Sequence, residues 1–365
     1  MENVLVNTIY DPSGDVLLVL SKKDDSAPAT NPPGKVNKVS QNDEHEELGV
    51  DDPQPTQPDA SNPQTSQPVK EHECRVSSRN LALASPVFRA MLDGGFQEGV
   101  ELSRGQLKRV PLPDDNLDAM LLVLAIIHGR TRAIPRKIGK ELFVDIAVLI
   151  DKYEINECAE VYTDMWFAAL WPLRQDSPPH LADGIFLCWV LKKATGFKEL
   201  TKKAIFESAL NFDDNGLPLP QWIASDIEQH RLSYIQAIVD YLRNLLNRYI
   251  SEQQQCRNDK RCDAMTLGSL IKGLNARNLF PLPEAEALDI SIKELVSQLR
   301  ALELMTLCQK NAYMADQCAP KRGLESNLSQ LENRVSGFGF ERLDPESYFK
   351  FFPINLSTST YKLYF

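Results

Sequence analysis

The apolar positions of this chain change spacing along its length, and each spacing selects a kind of element. Near the start they form short runs: Val4, Leu5, Val6 and Ile9, then the five residues 16–20. Separated by Asp11-Pro-Ser-Gly14, these read as two short strands around a turn, the second buried on both faces. Residues 72–76 and 106–112 read as two further strands. Between them the spacing becomes helical. Ser77 or Ser78 caps a short helix through Leu81 and Leu83. Ser85 and Pro86 then supply an N-cap and a first-turn proline for a second helix, which Gly94-Gly95 closes. Phe88, Met91 and Leu92 recur at i, i+3 and i+4, so they share one face as core anchors. Phe88 is expected to face a helix capped by Pro113-Asp-Asp115 and carrying Leu117, Met120, Leu121, Leu124 and Ile127, which Gly129 ends.

Further on, Leu142, Ile146, Leu149, Ile150 and Tyr153 mark one helix. Ala159, Tyr162 and Trp166 mark the next, broken at Trp171-Pro172. Everything beyond reads as helical, at 181–195, 198–210, 222–250, 263–275, 290–304 and 322–335. Aromatic patches follow at Phe338-Gly-Phe340 and Tyr348-Phe-Lys-Phe-Phe352. The expected class is α+β, a small sheet flanked by helices and then an all-α C-terminal region. No fixed period recurs, so kelch, ankyrin and solenoid repeats are not supported.

Residues 24–70 depart from all of this. They hold eight prolines and no Phe, Trp or Tyr, too little apolar surface to offset the entropy of ordering. The segment reads as a disordered Pro/Gln-rich insertion between two strands of one hairpin, and loop-closure entropy grows slowly enough for a fold to carry it. The net charge of −10 argues against a nucleic-acid surface over the whole molecule. No uncharged apolar run reaches the roughly eighteen residues that span a bilayer. Seven scattered cysteines, with no basic leader ahead of them, suggest thiols in a reducing compartment. An intracellular protein, in nucleus or cytoplasm, is expected.

The run Arg75-Val-Ser-Ser-Arg-Asn-Leu-Ala-Leu-Ala-Ser-Pro-Val-Phe-Arg-Ala-Met-Leu92 resembles the core of a BTB/POZ domain. The likeness extends over about residues 9–172 without the insertion. It includes Gly14-Asp-Val-Leu-Leu-Val-Leu20, Leu112-Pro-Asp-Asp-Asn-Leu-Asp-Ala-Met120, Ile126-Ile-His-Gly-Arg-Thr-Arg132 and Ala147-Val-Leu-Ile-Asp-Lys-Tyr-Glu154. The wording is similar to BTB-containing proteins of filamentous fungi. His128-Gly129 stands where many animal BTB domains have an aromatic followed by Thr-Gly. A weaker likeness to the same group covers Cys262-Asp-Ala-Met-x-Leu-Gly268. The resemblance implies a BTB/POZ fold with its first strands in residues 1–23, the insertion at 24–70 and the remainder in 71–172. A helical region at 173–335 and an aromatic-containing tail at 336–365 complete the chain. It further implies a non-enzymatic protein–protein interaction module, with a second copy or a cullin among its partners, as in a substrate adaptor of a ubiquitin ligase. Phe96 and Glu98 stand at the apolar-x-Glu position that cullin-binding members use. A nuclear, transcription-associated scaffold is the alternative.

The residues offer little chemistry beyond this. Cys256 and Cys262 are separated by five residues, Cys308 and Cys318 by nine. Four thiolates make a tetrahedral zinc set, although structural sites usually place two to four residues between paired ligands, and buried thiols are often only small apolar groups. Cys74, Cys158 and Cys188 read as core. His128, Arg130, Arg132, Arg136 and Lys137 form a basic cluster, read as a solvated or partner-facing loop. His45, His72, His128, His180 and His230 are scattered, and no phosphate loop, nucleophile elbow or metalloprotease motif is present. No catalytic residue can be named.

Overall fold

A computed structural model describes residues 6–21, 71–93, 107–170, 181–209, 211–257, 259–308, 318 and 320–340. The expectations placed on residues 24–70, on Gly94-Gly95, on Phe96 and Glu98, on Trp171-Pro172 and on residues 348–352 lie outside these. The protein is α+β. Its elements are β1 (Val6–Ile9), β2 (Val16–Ser21), β3 (Glu71–Val76), α1 (Ser78–Ala84), α2 (Pro86–Asp93), β4 (Lys108–Leu112) and α3 (Leu117–Ile127). Then come α4 (Lys140–Tyr153), α5 (Asn156–Leu170), α6 (Leu181–Val190), α7 (Ala194–Glu207), α8 (Gln221–Ile250), α9 (Lys260–Asn275), α10 (Ile292–Arg300) and α11 (Pro320–Arg334). The chain divides into two compact units. One takes the described residues up to Leu83 together with those from Phe88 to Arg130, and the other takes Ala84, Ser85, Pro86, Val87 and those from Thr131 onward.

The first unit is built on a mixed sheet of order β1-β3-β2-β4. The turn at 11–14 does not close a hairpin, because β3 lies between β1 and β2. β1 runs parallel to β3, and β2 is antiparallel to β3 and parallel to β4. Gly14 is required there, since a Cβ would lie 2.4 Å from the Val76 carbonyl oxygen. Asp15 links sheet to helix, its carboxylate accepting from the backbone N–H and hydroxyl of Ser78 at 2.8 and 2.6 Å. Ser77 caps α1 through the N–H of Asn80. Pairing of Ser21 with Glu71 across the β2–β3 ladder brings the ends of the 22–70 connection to one place. Deleting residues 24–70 is therefore expected to leave the melting temperature unchanged, and a lowered one would show that the segment supports the fold.

Phe88 is fully buried and Leu92 nearly so, whereas Met91 is half-buried and not an anchor in the same sense. The face of α3 differs from expectation. Ala119, Met120, Val123, Leu124, Ala125 and Ile126 are buried, while Leu117, Leu121 and Ile127 are only partly so. Residues 119–127 are apolar without interruption, and a helix apolar all round gives the period nothing to point with. Its cap is Asn116, whose side chain accepts from the N–H of Ala119 at 3.0 Å, one residue past the expected acids. His128 closes the helix. Its Nδ1 pairs with the Leu124 carbonyl at 2.9 Å, and its Nε2 accepts from the Ser77 N–H at 3.1 Å. Acceptance at Nε2 requires the neutral ring with its proton on Nδ1, and burial, the largest cause, lowers its pKa below the usual 6.5.

In the second unit, α8 is the spine. Ile223, Ile227, Ile235, Ile238, Leu242 and Leu245 face a core shared with α6, α7, α9, α10 and α11. Lys192 adopts a left-handed φ of 56° and ends α6 at Val190, so the break falls earlier than the expected 195–198. Lys140 of α4 pairs with Asp183 of α6 at 3.0 Å, spanning the expected boundary at 172. Arg231 is wholly buried on the apolar face of α8. It is held by the Glu228 carboxylate at 3.0 and 2.8 Å and by the Ile290 carbonyl at 2.9 Å. Residues 335–340 lie along α7 and α8, with Phe338 buried against Phe197, Trp222 and His230. A Cβ at Gly337 would meet the Lys198 carbonyl oxygen at 1.8 Å, so only glycine lets this segment lie so close.

Burial lowers the pKa of His230 from 6.5 to about 4. The folded state then holds fewer protons than the unfolded state between those values. The stability due to the neutral ring is full above pH 6.5 and declines as pH falls toward 4. Urea midpoints followed over this range should drop more steeply for the native protein than for His230→Phe, and equal slopes would contradict the assignment.

Candidate metal centre

Four chain segments meet beyond the end of α8. Cys256 lies in the connection from α8 to α9, Cys262 in the first turn of α9, Cys308 after α10, and Cys318 just before α11. Their sulfurs all lie within 4.8 Å of one another. Cys308 Sγ is 3.5 Å from Cys256 Sγ, 3.9 Å from Cys262 Sγ and 3.5 Å from Cys318 Sγ. A tetrahedral tetrathiolate with zinc–sulfur bonds near 2.3 Å has sulfur–sulfur edges of about 3.8 Å, and a disulfide would need about 2.05 Å. The quartet therefore has the dimensions of a closed four-sulfur cage, and all four residues are free thiols.

Local chemistry shapes the cage. Asp259 caps α9, its side chain accepting from the Arg261 N–H. Its own N–H is donated to Cys256 Sγ at 3.4 Å, and the Leu307 N–H to Cys262 Sγ at 3.3 Å. Such bonds favour sulfur as thiolate over thiol. Asp263 accepts from the N–H groups of Gln255 and Cys256 at 2.8 and 3.0 Å, fixing the turn that presents Cys256. Thr266 donates to the Met305 carbonyl and Ser269 accepts from the Met305 N–H, which bind the segment before Cys308 to α9. Burial first, then bonds from Cys256 and Cys308, push the Cys318 thiol well above its ordinary range. A bound divalent cation reverses that preference, since coordination deprotonates thiols outright.

The five- and nine-residue separations argued against this set, and the geometry accounts for the departure. The spacing rule describes ligands on one tight knuckle. Here the arms come from two connections and from the starts of α9 and α11, and tertiary packing closes them. Asp259 and Asp263, which position Cys256, were not singled out in the sequence; an acid directly after Cys262 was the available signal.

The remaining candidates are dispersed. Cys74 and Cys188 are buried and pushed up to about 12 by burial, Cys158 is half-buried, and none joins the quartet. The basic cluster is not a uniform charged patch. His128 is the neutral bridge described above, and Arg130 donates to the carbonyls of Ile9 and Tyr10 at 3.0 and 2.7 Å. Arg132, Arg136 and Lys137 are exposed. Phe96 and Glu98 fall outside the described residues. Among the described residues no helix is long and apolar enough to cross a membrane. No protein-family model matches the sequence, and no curated protein matches it.

Proposed function

We propose that this chain is a non-enzymatic protein–protein interaction module of the BTB/POZ type, with a second unit held together by a structural zinc ion on Cys256, Cys262, Cys308 and Cys318. The thiol quartet carries the zinc reading: the three sulfur edges at Cys308 are 3.5–3.9 Å and every edge is within 4.8 Å, against the roughly 3.8 Å of a tetrahedral zinc site. Four protein ligands leave no open position, so the ion's chemistry is to cross-link rather than to activate water. Metal analysis of the purified protein should find one zinc per chain, and its absence would refute this part.

The interaction reading is supported by the small mixed sheet followed by helices in the order the resemblance implies. The residues carrying that resemblance also work as fasteners: Gly14 and Asp15 at the sheet, Ser77 at the cap, Phe88 in the core, His128 at the helix end. In the adaptor version, Phe96 and Glu98 meet a cullin N-terminal helix. Mixing the full-length protein with a cullin N-terminal domain at micromolar concentrations and finding no complex by light scattering would sink that version. The same measurement on the protein alone tests association with a second copy.

A further inference from the structure

We propose that the quartet is a redox-released clamp, in which a hydroperoxide joins Cys308 and Cys318 as a disulfide and so expels the zinc. This rests on the zinc reading above. The cage is asymmetric. Cys256 and Cys262 are each 1% exposed, whereas Cys308 and Cys318 are only partly buried, at its rim. Those two rim sulfurs are already 3.5 Å apart, and Cys308 lies within 3.9 Å of every other member. An oxidant arriving from solvent therefore meets the rim pair first, and susceptibility follows thiolate character and exposure. The buried Cys74 and Cys188 lack both, being held as thiols away from solvent.

The chemistry balances with one hydroperoxide. The Cys308 thiolate attacks its terminal oxygen, breaking the O–O bond and leaving a sulfenic acid and hydroxide, or alkoxide from an organic peroxide. The Cys318 thiolate then attacks the Cys308 sulfur, forming the S–S bond and displacing a second hydroxide; two protons from the buffer's acid convert the leaving groups to water, or to water and an alcohol from an organic peroxide. Two electrons pass from the two sulfurs to the peroxide. Only Cys256 and Cys262 remain as thiolates, too few to retain a structural ion. The clamp opens at its two outer arms, while the Asp263 contacts keep Cys256 in place.

The test uses full-length protein whose zinc content has been measured. Hydrogen peroxide is added, released zinc is read with a chromogenic chelator, and disulfides are mapped by peptide mass spectrometry. The expected result is complete loss of bound zinc with a Cys308–Cys318 disulfide, both reversed by a reducing thiol and added zinc. Cys308→Ser, where it still takes up zinc, should release it many-fold more slowly. Should that variant not fold, the disulfide map of the native protein decides alone. Zinc retained through peroxide treatment, or a first disulfide between Cys256 and Cys262, overturns the switch and spares the metal reading. Protein that carries no zinc overturns both.

Discussion

Phe88→Ala should unfold the sheet-bearing unit. The ring is fully buried, and truncating a buried Phe costs about 3–5 kcal/mol, from the lost transfer energy and the cavity left behind. A small domain has only about 5–15 kcal/mol in total, so the variant should melt far below the parent or not fold at all. Leu83 is the internal control. It lies on the preceding helix but is 79% exposed, and Leu83→Ala should shift stability by no more than about 0.5 kcal/mol. Met91, half-buried, should fall between them. Melts of the three variants read the burial order directly. A Phe88→Ala protein that melts like the parent would mean the ring is a surface contact.

Removing the metal should produce the other large effect. An ion present at about a thousand times its dissociation constant stabilises the folded state by about 4 kcal/mol. In a unit of this size that corresponds to roughly 8–16 °C in melting temperature. A strong chelator, or Cys256→Ser, should lower the transition of the helical unit by that order, and added zinc should restore the chelated protein but not the variant. The unit should not unfold outright, because Ile227, Ile238, Leu242, Leu270 and Leu299 form a core that needs no ion. A melt unaffected by chelation would show that the four thiols are only neighbours.

What could be read from the chain follows the range of the interaction involved. Ser77, Ser85-Pro86 and the long period of α8 are local signals, and each marks an element that forms. The order β1-β3-β2-β4 is not local: nothing in residues 6–9 states that their partner lies at 72–75. The face of α3 was ambiguous because its apolar residues run on without a polar break. Arg231 was legible only in part: Glu228 stands at i−3 on the same helix, a spacing that pairs them, whereas the Ile290 carbonyl that receives the guanidinium lies 59 residues on and no period points to it. The metal centre sits between these cases. Its four cysteines stood out as residue types, yet spacing argued against them, because closure depends on where α8, α9, α10 and α11 end in space.

The pairing of Ser21 with Glu71 has a bearing on how such a chain can change over generations. Ladder partners in an antiparallel pair sit about 5 Å apart, so the two strands present their open ends side by side whatever joins them. Each doubling of the joining chain costs only about 0.6 kcal/mol, well inside what one good core substitution returns. Length there is nearly invisible to selection for stability, and insertions can accumulate, shorten or be exchanged without disturbing the sheet. The same doorway is open to the engineer: a reporter domain whose own termini lie close together can be spliced between Ser21 and Glu71 with the ladder left intact.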